Sequence, residues 1–250
     1  MSLTQAPSKA LDALVQSARQ HPYAVSLALG LPLVLSPLVS SLLASYRGYM
    51  ALGPGGFPHN VFGWAFQGLL QPLARDTLSP APFSNPAADA EFAPHGRESF
   101  LAAPLPTRAG ERPTVPGYVV PQRQTTEPAP QYVDEMNAYL SSLTKASPQL
   151  LEFRPSVLEH PSFPAVALVH PPKFVKHSEI AHVHSEGSSH VLLSLEDARS
   201  VLRTGWGQRH PISGVLMPLT YVMIYAPRDE HELEVWKNIV RASVAFTTAE

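Results

Sequence analysis

Between Ser79 and Pro130 prolines recur every few residues, and no apolar period of 2 or 3.6 survives. A proline fixes its own φ and withholds a backbone N–H, so neither a helix interior nor a central strand passes through such a stretch. The stretch is expected to be extended, which confines regular structure to what precedes and follows it. For Ser79–Arg97 the expectation is a mobile linker.

What precedes it is dominated by Ala24–Tyr46, a run without a charged residue that is flanked by Arg19 and His21 on one side and Arg47 on the other. A helix of about 20 apolar residues crosses a bilayer core. Pro32 and Pro37 are costly in a water-exposed helix but tolerated in a membrane one. A single-pass transmembrane anchor over 24–46 is the expectation, with a buried core helix and a cleaved signal peptide as alternatives. The chain then divides into a tail 1–23, the anchor 24–46, a juxtamembrane segment 47–78, a proline-rich linker or strap 79–130 and a folded domain 131–250.

Charge excludes some classes of partner. Lys and Arg number 18 against 20 Asp and Glu, a net −2, spread along the 250 residues. No basic run reaches the density of a nucleic-acid patch, which argues against that partner. Cysteine is absent, so disulfides, thiolate metal sites and a cysteine nucleophile are excluded.

After the proline-rich stretch the periods return. Apolar residues at 132, 133, 136, 140 and 143 form a helical stripe. Ala165–Val169, Glu179–His184, His190–Ser194 and Tyr221–Tyr225 read as strands, the middle two joined by a hairpin loop. Ser194 with Asp197 reads as a capping box that opens a helix stopped at Gly205, and Asp229 with Glu232 opens the last helix. Strands linked by hairpins and helices imply an α+β fold with a mainly antiparallel sheet and packed helices, plus the N-terminal transmembrane helix.

Chemistry is concentrated in two motifs, Glu179-Ile180-Ala181-His182-Val183-His184 with the later His190, and Gly205-Trp206-Gly207-Gln208-Arg209-His210-Pro211. Imidazole titrates near neutral pH, so clustered histidines point to acid–base or metal chemistry. Side chains alternate along a strand, so His182 and His184 share a face about 7 Å apart. Pairing His184 opposite His190 puts all three histidines on that face and sends Ala181, Val183, Val191 and Leu193 to the other. Three readings stay open. One histidine is a general base oriented by its neighbours; or His182, His184 and a third group (His190, Glu186 or His210) bind a metal; or the rings are satisfied core or surface histidines. The second motif is expected to form a rigid turn presenting Trp206 as an apolar wall, with Gln208 beside it, Arg209 as an anion partner and His210 as a further base or ligand; the alternative is that Trp206 plugs the core and Arg209 caps carbonyls. Glu179 is expected to orient a histidine, with a solvated strand end as the alternative.

The same residues carry a resemblance. The run 178–247 resembles the fungal luciferase family through EIAHVH (Glu179–His184), His190, GWGQRHP (Gly205–Pro211), YAPRDEHE (Tyr225–Glu232) and IVRASVAF (Ile239–Phe246). Fainter matches are GPGGFPHN (Gly53–Asn60), LPTRAGERP (Leu105–Pro113) and QRQ (Gln122–Gln124). Because family motifs fall inside Leu105–Thr126, that segment is expected to be an ordered strap. The resemblance implies that 131–250 is a luciferase-like catalytic domain, and it agrees with an N-terminal membrane helix, single-pass at an endomembrane such as the endoplasmic reticulum. It also implies an oxidoreductase that uses O2 as co-substrate and no organic cofactor. Family luciferases convert 3-hydroxyhispidin, a styryl α-pyrone, and O2 to caffeylpyruvate, CO2 and light. For this chain the expectation is an oxygenase of an enolic hydroxypyrone or polyketide-like small molecule. The alternatives are a metal-dependent enzyme and a non-catalytic binding module for a lipophilic metabolite.

Overall fold

The computed structural model describes residues 6–249. They fall into two compact units that meet in sequence between Ala51 and Leu52.

The first unit holds two helices, α1 (Ala6–Gln20) and α2 (Pro22–Ala51). The run expected to cross a membrane lies inside α2, and its side chains at 25, 26, 28–30 and 32 are outside the described set. Among the described residues no helix is long and apolar enough to cross a membrane, so a transmembrane helix is not one of the elements found.

The second unit begins with α3 (Val61–Leu70), whose first amides are capped by the Asn60 side chain through Phe62 N–H and Gly63 N–H. A short helix, α4 (Asp89–Phe92), precedes α5 (Val133–Ala146), β1 (Leu151–Pro155), β2 (Pro164–Leu168), β3 (Glu179–Val183) and β4 (Ser189–Leu192). Then come α6 (Leu195–Thr204), β5 (Gly207–Arg209), β6 (Tyr221–Ile224) and α7 (Glu230–Thr247). The strands form one antiparallel sheet in the order β1-β2-β3-β4-β6-β5. This is the expected α+β class. Strand β1 was not read from the sequence, and Gly207–Arg209, expected as a turn, is the edge strand β5.

The two faces of the sheet are covered differently. One is apolar and carries Val166, Ala181, Val183, Val191 and Ile224, all in the core. Helix α7 packs there with Leu233, Trp236, Ile239 and Val240 buried, and the Trp236 indole donates to Ser189 Oγ at 2.8 Å. The other face carries the histidines, and over it runs the extended segment 105–126.

That segment is held by side chains, since proline leaves its backbone few donors. Gln122 donates to the Arg209 carbonyl, and Gln124 accepts from Ala226 N–H. Arg123 donates to the carbonyls of Leu52 and Pro54, pairs with Glu159 at 2.6 Å, and lies 5.1 Å from the Phe163 ring centroid. The QRQ triplet is thus the segment's anchor.

Residues 79–97 are packed and do not form the expected linker. Phe83 and Phe92 are fully buried in the core, and Arg97 donates to the Phe83 carbonyl at 2.6 Å. Proline prevents long helices here, but it permits the short 3-10 turns at Ala81–Ser84 and Pro86–Ala88 that aim the aromatic rings inward. The Ser194 capping box is half formed. Its hydroxyl accepts from Asp197 N–H, while the Asp197 carboxylate accepts from Ser99 Oγ and Phe100 N–H and so staples this region to α6.

Candidate active site

The hairpin β3–β4 sets the histidines. His182 sits opposite His190, with Ala181 opposite Val191, two residues of register away from the expected His184–His190 pairing. The reason is a tighter turn. Gly187 N–H bonds the His184 carbonyl, His184 N–H bonds the Ser188 carbonyl, and Gly187 takes φ +94°, where a Cβ would also meet the Ala129 carbonyl at 2.8 Å. A shift of two keeps side-chain parity, so His182, His184 and His190 still share one face.

Glu179 joins them through a bulge. Along β2 one step separates Val166 from Ala167, but their partners on β3 are Ala181 and Glu179, two steps apart. The extra residue turns Glu179 onto the histidine face, where regular alternation would put it on the opposite one. Its carboxylate reaches His182 Nδ1 at 2.5 Å and also accepts from Ser156 Oγ and Val157 N–H. Burial works to raise this carboxyl, but His182 and the two further donors outweigh it and hold Glu179 below its ordinary value.

All three rings are buried, none exposing more than 2% of its surface. Their inward nitrogens form a triangle. His182 Nε2 lies 3.1 Å from His184 Nε2, His184 Nε2 lies 3.1 Å from His190 Nδ1, and His190 Nδ1 lies 3.2 Å from His182 Nε2. Each outward nitrogen has its own partner. His182 Nδ1 meets Glu179, His184 Nδ1 meets Ser188 Oγ at 2.8 Å, and His190 Nε2 meets Gln122 Oε1 at 3.0 Å. The Gln122 amide nitrogen is committed to the Arg209 carbonyl, so its oxygen faces His190 and must accept. The Ser188 hydroxyl is likewise committed to Glu186 as donor, so it accepts from His184. In the neutral rings the protons are therefore on the outside.

His210 stands beside this group, its ring centroid 5.2 Å from that of His190, while Tyr221 stacks on His190 at 4.8 Å and 18°. Burial, then the neighbouring imidazoles, depress His190 well below its ordinary value and take His210 to about 3. His210 Nδ1 accepts from Ile212 N–H, so the neutral ring carries its proton on Nε2 and is a hydrogen-bond donor rather than the expected base. His177, His190, His210, Tyr221, Gln122 and Glu159 line a cavity of about 370 Å³, whose other walls are mainly apolar and include Phe57, Phe66, Leu70 and Met217.

The rest of the Gly205–Pro211 motif goes elsewhere. Trp206 is packed in the core, its indole donating to the Pro106 carbonyl, with the Arg108 guanidinium 5.9 Å from its ring. Gln208 bonds Tyr225 OH and Thr77 Oγ1. Arg209 donates to Ser213 Oγ, the Ser213 carbonyl and the Asp76 carbonyl, and lines a separate depression with Arg75 and Ser79. Alternation along β5 and burial of three donors take it away from the histidine cavity, so Trp206 is not its wall and Arg209 is not its anion partner. Gln122, Ser188, Ser156 and Tyr221 were not expected at the site. Only Gln122 left a trace in the sequence, as part of the QRQ match.

Comparison with known proteins finds relatives of this chain. A Luciferase domain model matches residues 177–243, which contain the three histidines, Glu179 and His210. The luciferase of Neonothopanus nambi is 28% identical over 229 residues, covering 81% of this chain and 80% of that protein. The luciferase of Armillaria gallica is 26% identical over 224 residues with the same coverage. No solved structure matches. Over these spans the chain is similar to the fungal luciferases.

Proposed function

We propose that this protein is an O2-dependent oxygenase of a flat, enolic small molecule of the hydroxypyrone or polyketide class, with the histidine cavity as its active site. The observation that carries this reading is a largely apolar cavity of about 370 Å³ whose wall includes the buried His190 and His210, His190 being also one of the three imidazoles that converge behind it. Cavities of this size bury a ligand of two fused or linked rings. An enol becomes reactive toward O2 as its anion, and a water-excluded site with fixed donors stabilises that anion better than water does. His210 Nε2–H is such a donor. The apolar walls formed by Phe57, Phe66 and Leu70 keep water from the oxygenated intermediate. If the substrate is 3-hydroxyhispidin, one O2 adds, one CO2 leaves, and both oxygen atoms of O2 are shared between caffeylpyruvate and CO2.

The test is mass spectrometry of 3-hydroxyhispidin and a panel of simpler hydroxypyrones incubated with the purified chain under 18O2, with photons counted in the same cuvette. The expected result is enzyme-dependent O2 uptake and labelled product, reduced at least 100-fold in His190→Ala. Folded protein that consumes no O2 with any enolic pyrone overturns the reading and leaves a binding module.

We infer also that the chain works at a membrane. Phe62 and Leu69 of α3 are 77% and 75% exposed, and Phe66 and Leu70 of the same helix line the cavity. A lipophilic substrate could then enter from the lipid side. Flotation with phospholipid vesicles should carry the wild type up, and Phe62→Glu/Leu69→Glu should weaken this binding; equal flotation of both removes α3 as the contact.

A further inference from the structure

We propose that His182 Nε2, His184 Nε2 and His190 Nδ1 bind a divalent first-row transition-metal ion. The proposal follows from the nitrogens alone and does not rest on the oxygenase reading.

Three imidazole nitrogens meet at 3.1, 3.1 and 3.2 Å. Two of them can share a hydrogen bond only if one carries a proton on the inward side. The outward protons are already fixed by Glu179, Ser188 and Gln122, so in neutral rings all three inward nitrogens are lone pairs pointed at one another. One extra proton would serve a single edge of this triangle and leave the third nitrogen with no proton directed at it. A cation among the three lone pairs resolves it.

The distances fit. Imidazole binds zinc and similar ions at about 2.0–2.1 Å, which places ligand nitrogens of a tetrahedral or facial octahedral site roughly 2.9–3.4 Å apart. An ion at that reach sits about 1 Å off the plane of the three nitrogens, leaving at least one coordination position for a fourth ligand. Open three-histidine sites are the catalytic kind. Nitrogen donors without thiolate select among zinc, iron, cobalt, copper and nickel rather than magnesium or calcium.

The outer ring of partners is also that of a metal site. Ligating imidazoles donate their second N–H to a carboxylate, hydroxyl or carbonyl, which fixes the tautomer and raises ligand basicity. Each of the three does so here, two to residues of the hairpin itself and one to Gln122 of the overlying segment. The chemistry follows. Held by the three imidazoles, such an ion would supply a Lewis acid behind the cavity wall, and His210 would donate to an anion bound in that cavity.

The experiment uses the full chain without a histidine tag, stripped with chelator and dialysed against Co(II) or Zn(II). Expected is about one ion per chain by elemental analysis and a visible Co(II) ligand-field spectrum. Both should be lost in His184→Ala and retained in His170→Ala, which removes an exposed histidine. Glu179→Gln keeps the ligands and should lower affinity 10–100-fold, so the proposal is testable even if His184→Ala misfolds. It is overturned if folded wild type takes up no stoichiometric Co, Zn, Fe, Mn or Cu, or if the bound ion's spectrum is the same in wild type and Glu179→Gln with equal affinity. The two readings separate cleanly. Bound metal without O2 uptake sinks the oxygenase and keeps the site, whereas full O2 turnover by the chelated, metal-free chain sinks the site's role and keeps the oxygenase.

Discussion

Two buried polar clusters in this molecule solve the same problem in opposite ways. Around Arg108, charge is matched by charge. Its Nη2 meets Glu232 at 3.2 Å and the Ala226 carbonyl, Glu127 lies at 3.6 Å, and Arg228 bonds Glu232 through its side chain and its backbone N–H. The part of the guanidinium that meets no acceptor lies over the rings of Trp206 and Tyr225, at 5.9 and 5.5 Å. Around His184, by contrast, three acceptors face one another and nothing inside the protein answers them. The first cluster is balanced in charge, although Arg108 Nε and Nη1 meet no acceptor, and it holds the 105–126 segment to α7. The second is complete only with something added. Buried polar groups left open in this way mark function, because selection for stability alone would have closed them.

The largest effect should come from breaking the closed cluster. Glu232→Ala leaves the Arg108 charge buried with only Glu127 near it, and should destabilise the second unit by about 3–5 kcal/mol. Chemical denaturation measures this, and metal uptake by the fraction still folded should be unchanged. A loss below about 1 kcal/mol would mean the Arg108 cluster is not holding the segment.

Glu232→Gln is the gentler version and has a pH signature. Burial opposes ionisation of Glu232, but the hydrogen bonds and charge of Arg228 and Arg108 outweigh it and hold the carboxyl below its ordinary 4.5. The stabilisation is therefore fully present above about pH 4.5 and is lost as pH falls through the lower folded-state value. The gap in Tm between wild type and Glu232→Gln, worth about 2 kcal/mol at neutral pH, should close on acidification. A gap that persists to pH 3 would show that shape, not charge, is what Glu232 supplies.

Arg209→Ala separates the clusters in another way. Arg209 was expected to hold a substrate anion, yet its donors are engaged by Ser213 and the Asp76 carbonyl. Its loss should cost about 2 kcal/mol of stability and shift KM for a pyrone substrate by less than about 3-fold. A large rise in KM with unchanged stability would return Arg209 to the active site.

Much of this organisation was legible in the sequence because it rests on short-range rules. Alternation put His182, His184 and His190 on one face, and parity protected that inference even though the register was two residues off. Caps at Ser194 and Asp229 announced their helices. What was not legible depends on the third dimension or on irregular backbone. A bulge, which no alternation pattern shows, brings Glu179 to His182. Gln122 acts from 68 residues away. Arg209 and His210 are adjacent in sequence but point to different cavities, because an edge strand sends neighbours to opposite sides. Ser79–Arg97 seemed too rich in proline to pack, yet two phenylalanines were enough to bury it.

The smallest effect on stability should come from the open cluster, and this tests the comparison most sharply. His184→Leu replaces one of three converging acceptors by an apolar side chain of similar size. In chelator its stability should lie within about 1 kcal/mol of wild type, or roughly 3 °C in Tm for a unit of this size. The three lone pairs contribute nothing to the metal-free fold, and Ser188 keeps its bond to Glu186. With Co(II) at 100 times its Kd the wild type should gain about 2.7 kcal/mol by mass action, and the variant nothing. If His184→Leu instead destabilised the metal-free chain as severely as Glu232→Ala, the histidines would be structural like the arginines. The contrast between an open and a closed cluster would then fail.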